Sequence, residues 1–87
     1  MRVEFHRSAS KHHVDSDDAL NAVAHALVVA DMGDDSSPMR TLVLGPDHAG
    51  NMLEVIVLHF DDGRAMAIHA MPMRHQYRGL LPSPQET

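Results

Sequence analysis

The stretch RHQYR, Arg74 to Arg78, gathers two arginines, a histidine and the only tyrosine of the chain. A guanidinium fits phosphate oxygens in a two-pronged way. An imidazole exchanges protons near neutral pH, and a phenol stacks on a base or donates a proton. These are the parts needed to handle a phosphodiester: a cation, a proton carrier and donors for developing charge. The same residues also have a plainer reading. Arg74 and Arg78, four apart, can form the solvated face of a terminal helix with Tyr77 docked on a sheet.

A second group comes from strand pairing. Asp62-Gly63 is tight-hairpin chemistry. If it is a two-residue turn, Asp61 faces Arg64, His69 stands opposite Ile56 and Glu54 opposite Met71. Side chains alternate, so Glu54 and His69 become diagonal neighbours on one face. Such a pair either does acid–base work or satisfies a half-buried imidazole. A third group, Lys11, His12 and His13 with Arg7, precedes a helix, where it is a basic cluster or a solvated turn. Arg40 opens a strand and either reaches the same groove or pairs with aspartates of the Gly33–Pro38 loop. The histidines are numerous, eight in 87 residues, yet their spacings match no metal motif. Side by side on a helix, His12 and His13 would diverge by about 100°. No metal site and no cofactor is assigned.

The elements that must position these groups follow from patterning. Arg2–Phe5 is short and extended, and Ser8–His13 has room for one or two helical turns. Val14–Leu27 is the clearest helix. Asp15 can cap it with Asp18 three residues on, Val14 can staple onto Ala19, and Asp17 and Asp18 suit its positive end. Leu20, Val23, Ala24 and Leu27 form its predicted buried stripe, with Asp17, Asn21 and His25 on the other side. Leu27–Met32 is a strand or the helix exit. Met39–Gly45 is a strand, and Met52–Phe60, rich in β-branched residues, is the central one. Ala65–Met71 returns antiparallel until Pro72 ends its ladder. Met73–Leu81 is a short helix or an extended segment. The expected fold is α+β: an antiparallel sheet of about four strands, N-terminal helices on one face and a short C-terminal element. Residues 1–82 form one domain, with a disordered tail at 83–87.

Composition bounds the function. Aromatics are 3% of the chain, so its core is aliphatic and small, which favours a homo- or hetero-oligomer. Without cysteine there is no disulfide or thiolate zinc site. A formal charge of −5 means that RNA can be held only by a local basic patch. The N-terminus lacks a signal-like apolar region and no apolar run is long enough to span a bilayer, so a cytoplasmic protein without a membrane partner is expected.

The order of these pieces resembles a known family. Lys11–Ala19 (KHHV and an acidic-capped helix), Met39–Gly45 (MRTLVLG), Asn51–Arg64 (NMLEVIVLHFDDGR) and Ala67–Arg78 (AIHAMPMRHQYR) together are similar to the BrnT-type toxins of bacterial type II toxin–antitoxin pairs, small relatives of the RelE/ParE ribonuclease fold. The family has glycine where this chain has His13, and is more basic at the positions of His69 and Met71. The resemblance implies a metal-independent endoribonuclease that blocks translation and is neutralised by a cognate antitoxin protein. It implies catalytic roles for His69, Arg74, Tyr77 and Glu54, and RNA contacts from Arg40, Arg78, His12 and Lys11. The alternative is a non-enzymatic module of the same fold that holds a protein partner.

Overall fold

A computed structural model describes residues 3–33 and 38–82. The tail at 83–87, and the loop aspartates Asp34 and Asp35 considered as partners of Arg40, lie outside the described residues. The elements run β1 (Val3–Phe5), a first 3₁₀ helix (Arg7–Ser10), α1 (Ser16–Ala24), β2 (Val28–Asp31), β3 (Met39–Pro46), β4 (Met52–His59), β5 (Ala65–Pro72) and a second 3₁₀ helix (His75–Leu80). The strands form one sheet in the order β1-β5-β4-β3-β2. Strands β2 to β5 are an antiparallel meander, and β1 lies parallel on β5.

The fold is therefore α+β, but the sheet has five strands and is mixed. The stretch after the helix is the edge strand β2, not a helix exit. The helical layer is also thinner than expected, with one α-helix and one 3₁₀ helix before β2. No helix is long and apolar enough to cross a membrane.

Helix α1 packs on the sheet through alanine. Ala19 and Ala22 are buried with Ala9, Val43, Leu53, Val55, Val57, Ala65, Ala67 and Ala70, while Val23 is half-buried against them. The predicted stripe is thus misphased: Ala24 is exposed, and Leu27 lies beyond the helix at 56% exposure. The physical reason is close approach. A Cβ on Gly45 of β3 would collide with the backbone carbonyl of Ala22. Only small residues can face the sheet at that separation. Two polar ties hold the helix there: Asn21 Nδ2 donates to the Pro46 carbonyl at 3.0 Å, and His48 N–H donates to Asp18 Oδ1 at 3.0 Å. Asp15 occupies the N-cap, but its side chain caps no N–H.

The β4–β5 hairpin departs from the expected turn. Phe60 N–H donates to the Arg64 carbonyl at 2.9 Å, and Gly63 N–H to the Phe60 carbonyl at 3.0 Å. This closes a three-residue loop, Asp61–Gly63, with Gly63 in the left-handed region at φ 88°. The register starts one residue out from the two-residue turn. A bulge at Ile68 then restores it: Val57 faces Ala67, whereas Ile56 faces His69 and Glu54 faces Met71. Strand β5 ends at Pro72, with one more bond from Met73 N–H to the Met52 carbonyl at 2.9 Å.

Candidate functional site

Glu54 lies in the middle of β4 and is fully buried. Taking a carboxylate out of water is costly unless its lone pairs are satisfied. Here all of them are engaged. Oε1 accepts from Arg74 N–H at 2.9 Å and Arg74 Nε at 3.0 Å. Oε2 accepts from Arg74 Nη2 at 2.8 Å and lies 3.1 Å from His69 Nε2. Burial pushes the Glu54 carboxyl up, but the Arg74 side-chain and backbone donors and the His69 bond outweigh it, and the group is held below its ordinary value. Arg74 is pushed upward chiefly by its bonds to Glu54 and the adjacent negative charge.

The bulge decides where His69 points. Were Ile68 in regular register opposite Ile56, His69 would pair with Val55 and face the helix layer. With Ile68 bulged out of the ladder, His69 shares the Glu54 face. The bulge is held from outside by Ser8 Oγ, which donates to the Ile68 carbonyl at 2.8 Å. Strand β1 covers β5 only from Ala65 to Ala67, so the rest of that edge is free for the first 3₁₀ helix and the loop after it. That loop brings His12 to His69, ring centroids 5.7 Å apart and inclined at 70°. His13 sustains the turn at φ 62°, in the left-handed region. On the other flank, the Arg74 guanidinium lies 5.6 Å from the Tyr77 ring centre.

The structure thus joins His12, His69, Glu54, Arg74 and Tyr77 in one chain of contacts. A cavity of about 390 Å³ opens beside His12, lined also by His13, Asp15, Asp18, Leu53 and Pro72. Lys11 precedes His12 and is exposed, as is Arg78 on the second 3₁₀ helix. Arg40 is not gathered in. On β3 it stands opposite Leu58 of β4, whereas Glu54 stands opposite Leu44, which is about 13 Å further along β3. Among the described residues no group of three or more His, Asp or Glu is placed to hold a metal ion.

Two contacts have no counterpart in the sequence reading: the Arg74–Glu54 clasp and the His12–His69 ring pair. The first had a signal. Glu54 is the only charged residue in MLEVIVL, and a lone carboxylate in an apolar strand calls for a cation. Although it lies beyond Pro72, Arg74 satisfies the buried carboxylate.

Chemically, Glu54 is committed. Its carboxyl is held below the ordinary range and is fully bonded, an arrangement suited to anchoring Arg74 and His69. The two imidazoles are the groups able to move protons. Arg74 spends two of its five N–H donors, on Nε and Nη2, against the Glu54 side chain. Its guanidinium is about half exposed. Compared with family models, with curated proteins and with solved structures, the chain matches none.

Proposed function

We propose that this chain is the toxin component of a type II toxin–antitoxin pair, an endoribonuclease that inhibits translation and is held inactive by a cognate antitoxin. The observation that carries the reading is the His12–His69 ring pair beside Arg74 and Tyr77. Metal-independent cleavage of RNA needs a base to take the ribose 2′ proton as that oxygen attacks phosphorus. It also needs an acid to protonate the departing 5′ oxygen. Two adjacent imidazoles suit those roles, His69 being fixed by Glu54 and His12 facing the cavity. The donors of Arg74 not spent on the Glu54 side chain meet the charge developing on the phosphate. Tyr77 offers a ring for base stacking. The left-handed backbone of His13, where the resembling family has glycine, also supports the reading.

One observation favours the non-enzymatic alternative. The charge of Arg74 is already paired with Glu54, so the site is less cationic than its composition suggests. In that reading the clasp shapes a docking surface for a protein partner.

Induced expression separates the two. The wild-type chain should arrest growth and fragment cellular RNA. His69→Ala and His12→Ala should relieve both effects while circular dichroism stays unchanged. Arg74→Ala is a poor probe, because it also unlocks Glu54. A wild-type chain that neither slows growth nor cuts RNA would sink the ribonuclease reading and leave the binding module.

A further inference from the structure

The outer edge of β5 changes partner halfway along. Strand β1 covers it as far as Ala67, where His6 N–H donates to the Ala67 carbonyl at 2.8 Å. Parallel ladders bond at every second residue, so a strand running on would send Ser8 N–H to the His69 carbonyl. The chain turns into the first 3₁₀ helix instead. Ser8 N–H donates to His6 Nδ1 at 3.1 Å, and the Ser8 hydroxyl reaches the carbonyl of the bulged residue Ile68 at 2.8 Å. One side-chain bond thus replaces the ladder beside the residue that aims His69. The proton count there is tight. A hydroxyl has one proton, and an unprotonated imidazole nitrogen has one lone pair. Ser8 Oγ also lies 2.9 Å from His6 Nδ1. Because Ser8 N–H occupies that lone pair, the hydroxyl proton is left for the Ile68 carbonyl. Ser8 itself is fixed on both sides. His6 before it is tied to β5, and Ala9 after it is buried in the core. The same segment then carries His12 to the His69 ring.

We propose that Ser8 is a positioning residue for the His12–His69 pair: its hydroxyl pins the bulge that turns His69 onto the Glu54 face, and His6 keeps the hydroxyl proton directed at that bulge. The competing arrangement is the regular register, in which His69 pairs with Val55 and turns away from Glu54. A half-buried carbonyl without a donor is costly, so removing the hydroxyl loosens the bulge against that register. Residues 6–12 then act as one device that sets both imidazoles, His12 through its own backbone and His69 through Ser8. The catalytic consequence rests on the ribonuclease reading, whereas the positioning does not.

The test reads the His69 ring directly, in proton and nitrogen spectra of the histidine rings assigned with His69→Gln and His12→Gln. Ser8→Ala should move the His69 signals and shift those of His12 with them, while circular dichroism stays unchanged. Ser8→Thr, which keeps the hydroxyl, should restore both. His6→Ala should displace them less. Adding it to Ser8→Ala should change nothing further, because His6 acts through that hydroxyl. In cleavage assays Ser8→Ala should lower kcat about tenfold or more, since a misplacement of about 1 Å costs up to about a hundredfold. KM should stay nearly unchanged. Wild-type ring signals in folded Ser8→Ala would overturn the proposal. So would additive shifts in the double variant, or Ser8→Thr displaced as far as Ser8→Ala. Should Ser8→Ala not fold, His6→Ala decides, and unmoved His69 signals in it overturn the proposal. A wild type without ribonuclease activity sinks the function proposed above and leaves the ring spectra to judge the role of Ser8.

Discussion

The two ends of the sheet handle their polar groups in opposite ways. At the β5 end, a buried carboxylate is saturated by Arg74 and His69, the bulge carbonyl is bonded by Ser8, and the chain wraps back over its own edge. At the β2 end, backbone groups and apolar side chains are left facing outward. The difference teaches where rigidity is invested. The corner that carries the two imidazoles is internally satisfied, as the proposed proton transfer would require. The far edge keeps backbone hydrogen-bonding capacity unspent among the described residues.

The largest expected effect breaks the corner. Arg74→Met leaves the Glu54 carboxylate buried with only His69 as a side-chain partner, and Tm should fall by more than about 10 °C. Adding Glu54→Met should restore most of the loss, because a buried pair replaced by apolar groups of similar size is often neutral. A double variant as unstable as Arg74→Met would show that Arg74 packing, not its charge, matters. On the β2 edge, Val29→Lys should move stability by no more than about 0.5 kcal/mol.

The corner should also be the acid-sensitive end. The Glu54 carboxyl is depressed in the fold. Its contribution is complete above the unfolded value, about 4.3, and is lost as pH falls through the lower folded value. Asp47 and Asp62 are depressed too: backbone and side-chain bonds from Asn51 outweigh burial at Asp47, and bonds from Arg64 act at Asp62. They titrate in any variant that keeps them. The urea midpoint of wild type should therefore fall relative to that of the Arg74→Met, Glu54→Met double variant as pH drops from about 5 toward 3. A difference between the two that does not change with pH would remove Glu54 ionisation as the cause.

The Glu54–His69 contact was legible in the sequence for a partly accidental reason. Reading Asp62-Gly63 as a two-residue turn puts the register one residue out, and the Ile68 bulge shifts it back. Alternation alone signals neither irregularity, since Asp61–Gly63 suits either loop length. The central strand β4 and the end of β5 were readable because β-branched runs and Pro72 leave little choice. The buried stripe of α1 was not. Hydrophobicity favours Leu20 and Leu27, but the closeness of Ala22 to Gly45 admits only alanines. Nor was Arg74 as the partner of Glu54, because that bond depends on how the chain turns after Met73.

The smallest effect sharpens the corner from within. His13 holds a left-handed backbone that costs an L-residue about 1–2 kcal/mol. Glycine removes that cost but adds freedom to the unfolded chain. His13→Gly should therefore stabilise only slightly, by about 0.5 kcal/mol, seen as a higher urea midpoint with unchanged slope. His13→Val should do the reverse, since a β-branched residue tolerates this region worst. The pair of variants also tests whether the turn exists to aim His12. If it does, both should keep the fold. Only His13→Gly, which preserves the backbone without strain, should keep the His12 ring signals shifted by the neighbouring His69 ring in a proton spectrum. Equal ring shifts in both variants would mean that His12 is placed by the cavity wall and not by the turn.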